Sequence, residues 1–250
     1  MPTEKFGRQV GIYSSFQALG GGLGPVIGGI AADTDWRYAF WGTMVIAGVL
    51  ALFPPQGEAR TDAEAPRIRP LLTGRMIMLG LAFLFAAAGP IGISVLVGVA
   101  AREILDLTGT QTGVILFAGA MAALALGPIW GQILDRYGTR AVGLASAIAS
   151  TLLAASLALA VLGNGWSLGI VWILTSAAIS AFVVALQGLG ASIMPANRGG
   201  ALSFLLSFRF VGHAVGPILF LPLIDTSATV ALLLAAALGI FTAAVVGVQR

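Results

Sequence analysis

The stretch between Arg140 and Arg198 contains no charged residue, and this feature constrains the fold of the chain more than any other. A helix needs about 20 mostly apolar residues to cross the hydrocarbon core of a bilayer, so the stretch is long enough for two crossings. Only 9% of the residues are charged and the mean hydropathy is +0.98, values outside the range of soluble domains. The alternation of polar and apolar residues that barrel strands need is missing, so the sequence predicts an all-α integral membrane protein.

Eight apolar segments, each bounded by charged or turn-forming residues, predict eight transmembrane helices. We label them A to H, with approximate ranges 8–32, 38–54, 75–101, 110–132, 141–162, 167–194, 199–223 and 227–248. The longest polar linker runs from Pro54 to Pro70, between B and C, and is typical of a loop that joins two helix bundles. The other connections are short, so neighbouring helices are expected to run antiparallel.

The distribution of lysine and arginine predicts the orientation in the membrane. Ten basic residues fall on the side that carries both termini, whereas only Arg37 and Arg102 fall on the other side. The ten are Lys5, Arg8, Arg60, Arg67, Arg69, Arg75, Arg136, Arg140, Arg198 and Arg250. This bias predicts a multi-pass protein of the cell membrane with both termini in the cytoplasm. Because the basic residues form no cluster, the sequence indicates no nucleic-acid partner.

Spans A and G show an internal repeat when they are aligned on their Gly-Pro pairs. Six positions are then identical: Gly7 and Gly199, Ser15 and Ser207, Phe16 and Phe208, Gly20 and Gly212, Gly24 and Gly216, Pro25 and Pro217. Internal repeats are typical of secondary transporters. Because G comes six spans after A, the repeat unit would hold six helices, and two units would hold twelve.

Two motifs carry a resemblance to a known family. The pattern G-x8-G-x3-G-P-x2-G-G is matched in span A by Gly11, Gly20, Gly24, Pro25, Gly28 and Gly29. The pattern G-x3-D-R-x-G-x-R is matched between D and E by Gly131, Asp135, Arg136, Gly138 and Arg140. Together they resemble the major facilitator superfamily, and the first resembles the antiporter motif of its drug:proton antiporters.

This resemblance implies an architecture. Span A would be the fifth of twelve helices, so the chain would be a partial major facilitator fold that holds helices five to twelve. Residues 1–54 would then be the last two helices of the N-terminal half, 55–74 a cytoplasmic central loop, and 75–250 the C-terminal six-helix half. A four-helix N-terminal segment would be missing, because the gene is truncated, its start is wrongly assigned, or a separate chain supplies the segment.

The glycines of span A predict close helix packing. Gly20, Gly24 and Gly28 repeat every four residues and so share one face, which is expected to form the row that contacts a partner helix. Pro25 cannot donate its backbone hydrogen bond and is expected to bend the helix between Gly21 and Gly29. Gly22 is left without a role. The family implies that this bent contact limits leak between the two halves, although plain helix packing would explain each glycine as well.

Asp135 is the candidate for a gating contact at the cytoplasmic surface. A carboxylate is favourable at a helix N-terminus, where unpaired amides and the helix dipole point outward. The pseudo-symmetry of the family places the start of span A, around Gly7 and Arg8, nearest to it. We therefore expect Asp135 to cap or pair with the start of span A and to help hold the inward-closed state. The alternative is a polar residue that merely belongs to a tight turn.

The candidate substrate or proton site comprises Arg209, His213, Gln187, Gln17 and Trp172. Arg209 lies roughly 15 Å into span G, near the bilayer centre, where a charge is expected to face a cavity or a partner. It could contact an anionic group or take part in proton coupling; alternatively it is bound to backbone carbonyls or to an acid outside this chain. His213 lies one turn away and is either a packing residue or a proton switch. The family fold implies that C and F line the cavity, and Gln187 is expected to contact the substrate.

These features predict a secondary transporter and no enzyme, because no catalytic constellation is visible. Its function would be the proton-coupled efflux of small apolar or amphipathic molecules by alternating access. None of the ten acidic residues lies within a span, so no proton carrier can be assigned. The alternatives are an uptake carrier for a metabolite or sugar and a non-transporting or degenerate membrane fragment. With no cysteine and one histidine, no metal site or cofactor is predicted.

Overall fold

The computed structural model describes residues 6–53 and 69–248, and all regular structure within these ranges is helical. The eight α-helices are α1 (Phe6–Asp33), α2 (Arg37–Leu52), α3 (Gly74–Ala88), α4 (Ser94–Glu103), α5 (Gly109–Tyr137), α6 (Thr139–Ala160), α7 (Gly165–Ile193) and α8 (Arg198–Val248). Short 3-10 helices cover Arg69–Leu71 and Pro195–Asn197. Most of the predicted central loop, 55–74, lies outside the described residues.

The helices follow the predicted apolar segments. Segments A, B, D, E and F each coincide with one helix, C is divided into α3 and α4 around Gly89 and Pro90, and G and H join in α8. Inside α8, Ser227 has extended backbone angles (φ −167°, ψ 108°) that interrupt the helix. Four helices, α5 to α8, are long and apolar enough to cross a membrane, whereas α2 and α3 are apolar but shorter. The count of eight crossings therefore stays a prediction.

Side-chain caps set where the longest helices begin. The Thr108 hydroxyl accepts a hydrogen bond from the Gln111 amide, and the Gln111 side chain accepts one from the Thr108 amide, which forms a capping box at the start of α5. Asn164 and Ser167 form the same arrangement at the start of α7. Such boxes satisfy amides that have no partner within the helix. The start of each helix is thus encoded locally.

Large apolar side chains of α3, α7 and α8 form a buried core. Its fully buried members include Met76, Leu79, Phe83, Phe182, Leu186 and Leu205. In α8, a Cβ added to Gly212 would overlap the carbonyl oxygen of Leu84, and one added to Gly216 would lie 3.1 Å from the Ala88 carbonyl carbon. Helices α3 and α8 therefore approach each other almost backbone to backbone.

Helix α1 runs antiparallel to α5 along a ladder of glycines. Gly7 contacts Gly131 and Gly11 contacts Gly127 near one end of the pair, while Gly29 contacts Gly109 near the other end. At each of these glycines an added Cβ would overlap a carbonyl oxygen or a side chain of the opposite helix. In a bilayer, such close contact supplies the van der Waals attraction that holds two helices together.

The predicted contact row of span A is wrong for the described helices. A Cβ added to Gly20, Gly24 or Gly28 would meet no described atom within 4 Å. Gly22, to which the sequence assigned no role, is buried and faces the Ala120 side chain of α5. The helix is turned so that its contact face passes through Gly11, Gly22 and Gly29. A four-residue repeat shows that glycines share a face, but not which neighbour that face meets.

Candidate functional site

One end of the α1–α5 pair is joined by a carboxylate. Asp135, in the last turn of α5, accepts hydrogen bonds from the backbone amides of Gly7 (2.8 Å, to Oδ1) and Arg8 (3.2 Å, to Oδ2). Both amides belong to the first turn of α1 and have no partner within the helix. Negative charge is also favourable at this end of the helix dipole. The contact that the sequence predicts between Asp135 and the start of span A is thus formed.

The opposite end of the pair is joined in the same way. Asp33, the last residue of α1, accepts hydrogen bonds from the amides of Gly109 (2.7 Å, to Oδ1) and Thr110 (2.6 Å, to Oδ2) at the start of α5. The Arg102 guanidinium lies 4.0 Å from Oδ1 of the same carboxylate. The hydrogen bonds from Thr110 are the main cause that lowers the pKa of Asp33 below 3.8. Each helix thus caps the other.

Sequence reasoning missed Asp33, although a signal for it was present. Both helices begin with G-x-Q-x-G, at Gly7–Gly11 in α1 and at Gly109–Gly113 in α5. Aligned on these starts, the helices also match at Gly29 and Gly131, and then at Asp33 and Asp135. Because the two helices are antiparallel and alike in sequence, the same contact can form at both ends of the pair. A comparison of span A with span D would therefore have found the second carboxylate.

A cavity of about 460 Å³ lies against the middle of this helix pair. Its walls come from α1, α4, α5, α7 and α8 and from Ile91, which precedes α4. The polar side chains that line it include Ser14, Gln17, Ser94, Ser176, Arg209 and His213. The apolar part includes Leu116, Trp172 and Phe210. Four of the five predicted candidates, Gln17, Trp172, Arg209 and His213, thus line one cavity.

Arg209 and His213 interact within the cavity. The Arg209 Nε–H donates to Nε2 of His213 at 3.3 Å, which is possible because the residues lie one turn apart on α8. An accepting Nε2 means that this histidine is neutral, with its proton on Nδ1. This hydrogen bond occupies the Nε–H of Arg209 and fixes the orientation of its guanidinium. No carboxylate belongs to the described lining of the cavity.

Gln187 is not among the described residues that line the cavity, and its contact with a substrate stays a prediction. Its side chain is only 1% exposed. Its Oε1 accepts a hydrogen bond from the Ser14 hydroxyl at 2.8 Å, and its Nε2 donates to Oε1 of Gln17 at 3.3 Å. Burial favours these bonds because an unpaired amide in an apolar interior is costly. Gln187 therefore connects α7 to α1 behind the wall that Ser14 and Gln17 form.

Trp172 and Ser176 form one wall of the cavity. The Trp172 ring is buried and its Nε1–H donates to the Leu116 carbonyl oxygen at 3.3 Å, which joins α7 to α5. Gly119 makes this approach possible, since a Cβ there would overlap the side chains of both Trp172 and Ser176. The Ser176 hydroxyl is buried and has no hydrogen-bond partner among the described residues.

Of the other residues of the loop motif, Gly131 packs against Gly7 of α1, whereas Arg136, Gly138 and Arg140 make no described hydrogen bond to α1. Arg136 places its guanidinium 5.3 Å from the centre of the Tyr137 ring. Arg140 donates a hydrogen bond to the Gly247 carbonyl oxygen of α8. Gly138 has φ 85°, a left-handed conformation that favours glycine, and it separates α5 from α6. Among the described residues of the motif, Asp135 alone forms hydrogen bonds to α1, and it does so through backbone amides rather than through the exposed Arg8 side chain.

Comparison with known proteins agrees with the family resemblance. The sequence profile of the Major Facilitator Superfamily matches residues 1–217. The chain is 28% identical over 237 residues to the multidrug resistance protein MdtG of Dickeya zeae, covering 88% of this chain and 57% of that protein. It is 28% identical over 235 residues to MdtG of Proteus mirabilis, covering 88% of this chain and 58% of that protein.

A third similar protein is MdtG of Enterobacter lignolyticus, which is 26% identical over 238 residues, covering 88% of this chain and 56% of that protein. The chain thus spans little more than half the length of these relatives. The family resemblance inferred from the two motifs is confirmed, and so is the prediction of a membrane protein that is no enzyme. This chain belongs to the Major Facilitator Superfamily.

Proposed function

We propose that this chain acts in secondary transport and exports small amphipathic molecules by alternating access, with protons as the coupling ion. The observation that carries the proposal is the position of the cavity, which lies midway between two joined ends of one helix pair. A transporter of this kind must expose a central site to each side of the membrane in turn. A site between two separable contacts satisfies that requirement.

The two carboxylates supply contacts that can open and close. Each is bound by two backbone amides and not by a hydrophobic core, so it can be released without unfolding a helix. We propose that the Asp135 contact opens when the site faces the cytoplasm and the Asp33 contact opens when it faces the outside. The proposed orientation has both termini in the cytoplasm, following the distribution of basic residues.

The walls of the cavity favour amphipathic cargo over a sugar. Apolar side chains such as Ile91, Leu116, Ile179 and Val183 make up most of its lining beside a few polar groups. A polyhydroxylated ligand would leave many hydroxyls without partners against such walls. The relatives named above are multidrug resistance proteins, which supports export of varied small molecules.

Everted membrane vesicles that contain the chain test this proposal. Vesicles are energised to build an inward proton gradient, and an amphipathic probe, 2-naphthalenesulfonate or 2-naphthylmethylammonium, is then added. We expect probe-dependent release of protons, measured with a pH-sensitive acridine dye, and uptake of the probe into the vesicles. A variant that carries both Asp33→Asn and Asp135→Asn should release fewer protons.

Asp35→Asn serves as the matched control. Asp35 pairs with Arg37 at 3.5 Å next to the exposed start of α2 and joins no part of the α1–α5 contact. Its vesicles should behave like the wild type. Well-folded chain in vesicles that moves neither probe nor protons would contradict the proposal and favour a non-transporting membrane protein. Probe movement without proton release would retain transport and exclude proton coupling.

A further inference from the structure

We propose that the cavity beside α1 and α5 is a binding site for amphipathic anions, in which the Arg209 guanidinium binds the carboxylate, sulfonate or phosphonate group of the ligand. This inference deepens the proposed function by giving the charge of the cargo, and it rests on that function only for the step of transport. Binding itself requires no gradient. The site combines a cation that no described carboxylate neutralises, a hydroxyl without a hydrogen-bond partner among the described residues, and an aromatic wall.

The hydrogen bonding of Arg209 leaves its outer edge available. Its Nε–H is used by His213 at 3.3 Å, and its two terminal NH2 groups have no partner among residues 6–53 and 69–248. Two parallel N–H groups match the two oxygens of a carboxylate or sulfonate. His213 fixes the plane of the guanidinium, so less side-chain freedom is lost when a ligand binds.

The charge of the cavity favours an anion. Arg209 is the one charged side chain among the described residues that line it, and none of the lining residues is acidic. The two carboxylates carried by α1 and α5, Asp33 and Asp135, are held by amides at the two ends of the helix pair. A cation that is removed from water is stabilised when an opposite charge binds with good geometry. A positively charged ligand would instead be repelled.

The rest of the cavity fits the body of an amphipathic molecule. Trp172, Leu116 and Phe210 offer aromatic and aliphatic surface. Ser176 lines the same cavity, is only 7% exposed, and has a hydroxyl without a partner among the described residues. Buried hydroxyls in native proteins are nearly always paired, so a polar ligand atom that reached this hydroxyl would satisfy it. The volume of about 460 Å³ is within the range of small-molecule sites.

Equilibrium binding to the purified full chain in lipid nanodiscs tests the inference. The probes are 2-naphthalenesulfonate, 2-naphthylmethanol and 2-naphthylmethylammonium, which share one ring system and differ in charge. We expect the sulfonate to bind about tenfold more tightly than the alcohol, as expected for hydrogen bonds to a charged group, and the ammonium to bind most weakly. Quenching of tryptophan fluorescence reports the dissociation constants.

Two substitutions of Arg209, with one control, distinguish loss of the positive charge from loss of the folded structure. Arg209→Gln should weaken the sulfonate about tenfold and change the alcohol less than twofold, since loss of the charged bond affects only the anion. Arg209→Lys should retain most of the preference for the anion. Arg37→Gln removes an exposed arginine outside the cavity and should change nothing. Retained binding of the alcohol shows that a variant is folded.

The inference is overturned if the wild type binds all three probes equally, or if Arg209→Gln weakens the alcohol as much as the sulfonate. If Arg209→Gln binds none of the probes, Arg209→Lys is used instead. Loss of the preference for the sulfonate over the alcohol in Arg209→Lys would also contradict the proposed site. Failure of the proposed function has a different signature. In that case the sulfonate binds through Arg209 but never moves across the vesicle membrane.

Discussion

Asp33 and Asp135 occupy equivalent positions at opposite ends of one antiparallel helix pair. Each carboxylate lies in the last turn of its own helix and accepts two hydrogen bonds from amides in the first turn of the other helix. The distances are 2.7 and 2.6 Å for Asp33 and 2.8 and 3.2 Å for Asp135. Between these contacts the helices approach through glycines, and the cavity lies beside their middle. Because each end depends on its own carboxylate, a substitution of Asp33 or of Asp135 tests one end at a time.

Asp135→Asn should loosen the end at Gly7. The amide side chain can still accept one hydrogen bond but loses the charge that the helix dipole favours, a loss of about 1 kcal/mol. The chain contains no cysteine, so Ser15→Cys, opposite Gly127, is a clean probe of the helix contact. Labelling of that cysteine by N-ethylmaleimide should be faster in the Asp135→Asn background, and transport rates should change.

The control for this experiment is Asp35→Asn in the same Ser15→Cys background. It removes the same charge from a residue that contacts neither α1 amides nor α5. Equal labelling rates in the wild type, Asp135→Asn and Asp35→Asn would show that Asp135 belongs only to its turn and does not hold the pair.

Asp33→Asn should destabilise the chain in a manner that depends on pH. The pKa of Asp33 is lowered in the folded chain by its hydrogen bonds, so the carboxylate contributes stability above pH 3.8. That contribution is lost as the pH falls through the lowered value. We therefore expect the wild type to have a higher midpoint of thermal unfolding than Asp33→Asn at pH 7. The two midpoints should converge in strong acid.

Thr110→Ala tests the same contact from the other helix, because it keeps the backbone amide that donates at 2.6 Å and removes the hydroxyl, whose hydrogen bond is the largest cause that lowers the pKa of Asp33. Its unfolding midpoint should therefore depend less on pH than that of the wild type, whereas the control Asp35→Asn, which leaves this contact intact, should retain the difference between wild type and Asp33→Asn. A constant difference between wild type and Asp33→Asn from pH 7 to strong acid would show that the ionised carboxylate contributes nothing.

Gly11→Ala should lower the free energy of unfolding, whereas Gly24→Ala should raise it. A Cβ at residue 11 would overlap the Gly127 carbonyl oxygen, so helices α1 and α5 must move apart at a cost of about 1–3 kcal/mol. At residue 24 no described atom lies within 4 Å of the new Cβ, and alanine favours a helix by about 1 kcal/mol. Unfolding titrations with dodecyl sulfate in mixed micelles measure both. Equal destabilisation would indicate that another surface covers Gly24.

Gln187→Leu should destabilise the chain by about 1–3 kcal/mol, because it leaves buried polar groups of α1 unpaired. Ser14 loses the acceptor at 2.8 Å and Gln17 loses the donor at 3.3 Å. If the bond between Ser14 and Gln187 carries this effect, adding Ser14→Ala to Gln187→Leu should cost less than the sum of the single changes. Additive losses would assign the stability of Gln187 to other contacts. Probe affinity should change little in each variant.

The sequence by itself determined much of the local structure. Uncharged apolar segments predicted the helices, and Thr108 with Gln111 marks the start of α5 through a capping box that neighbours in the chain form alone. Family membership followed from glycine, proline and aspartate spacings. The Asp135 contact with the start of α1 was also predictable, because a carboxylate at the end of one helix suits the amides at the start of an antiparallel one.

Tertiary structure alone decided which faces meet. Helical periodicity placed Gly20, Gly24 and Gly28 on one face, but α5 packs against the face of Gly11, Gly22 and Gly29. In the same way, Gln187 was expected to contact the substrate, whereas its hydrogen bonds to Ser14 and Gln17 hold it behind the cavity wall that these two residues form. A helix rotates as a rigid body, and the packing of all its neighbours fixes that rotation. Spacing along one segment therefore defines a face, whereas its partner depends on contacts far apart in the chain.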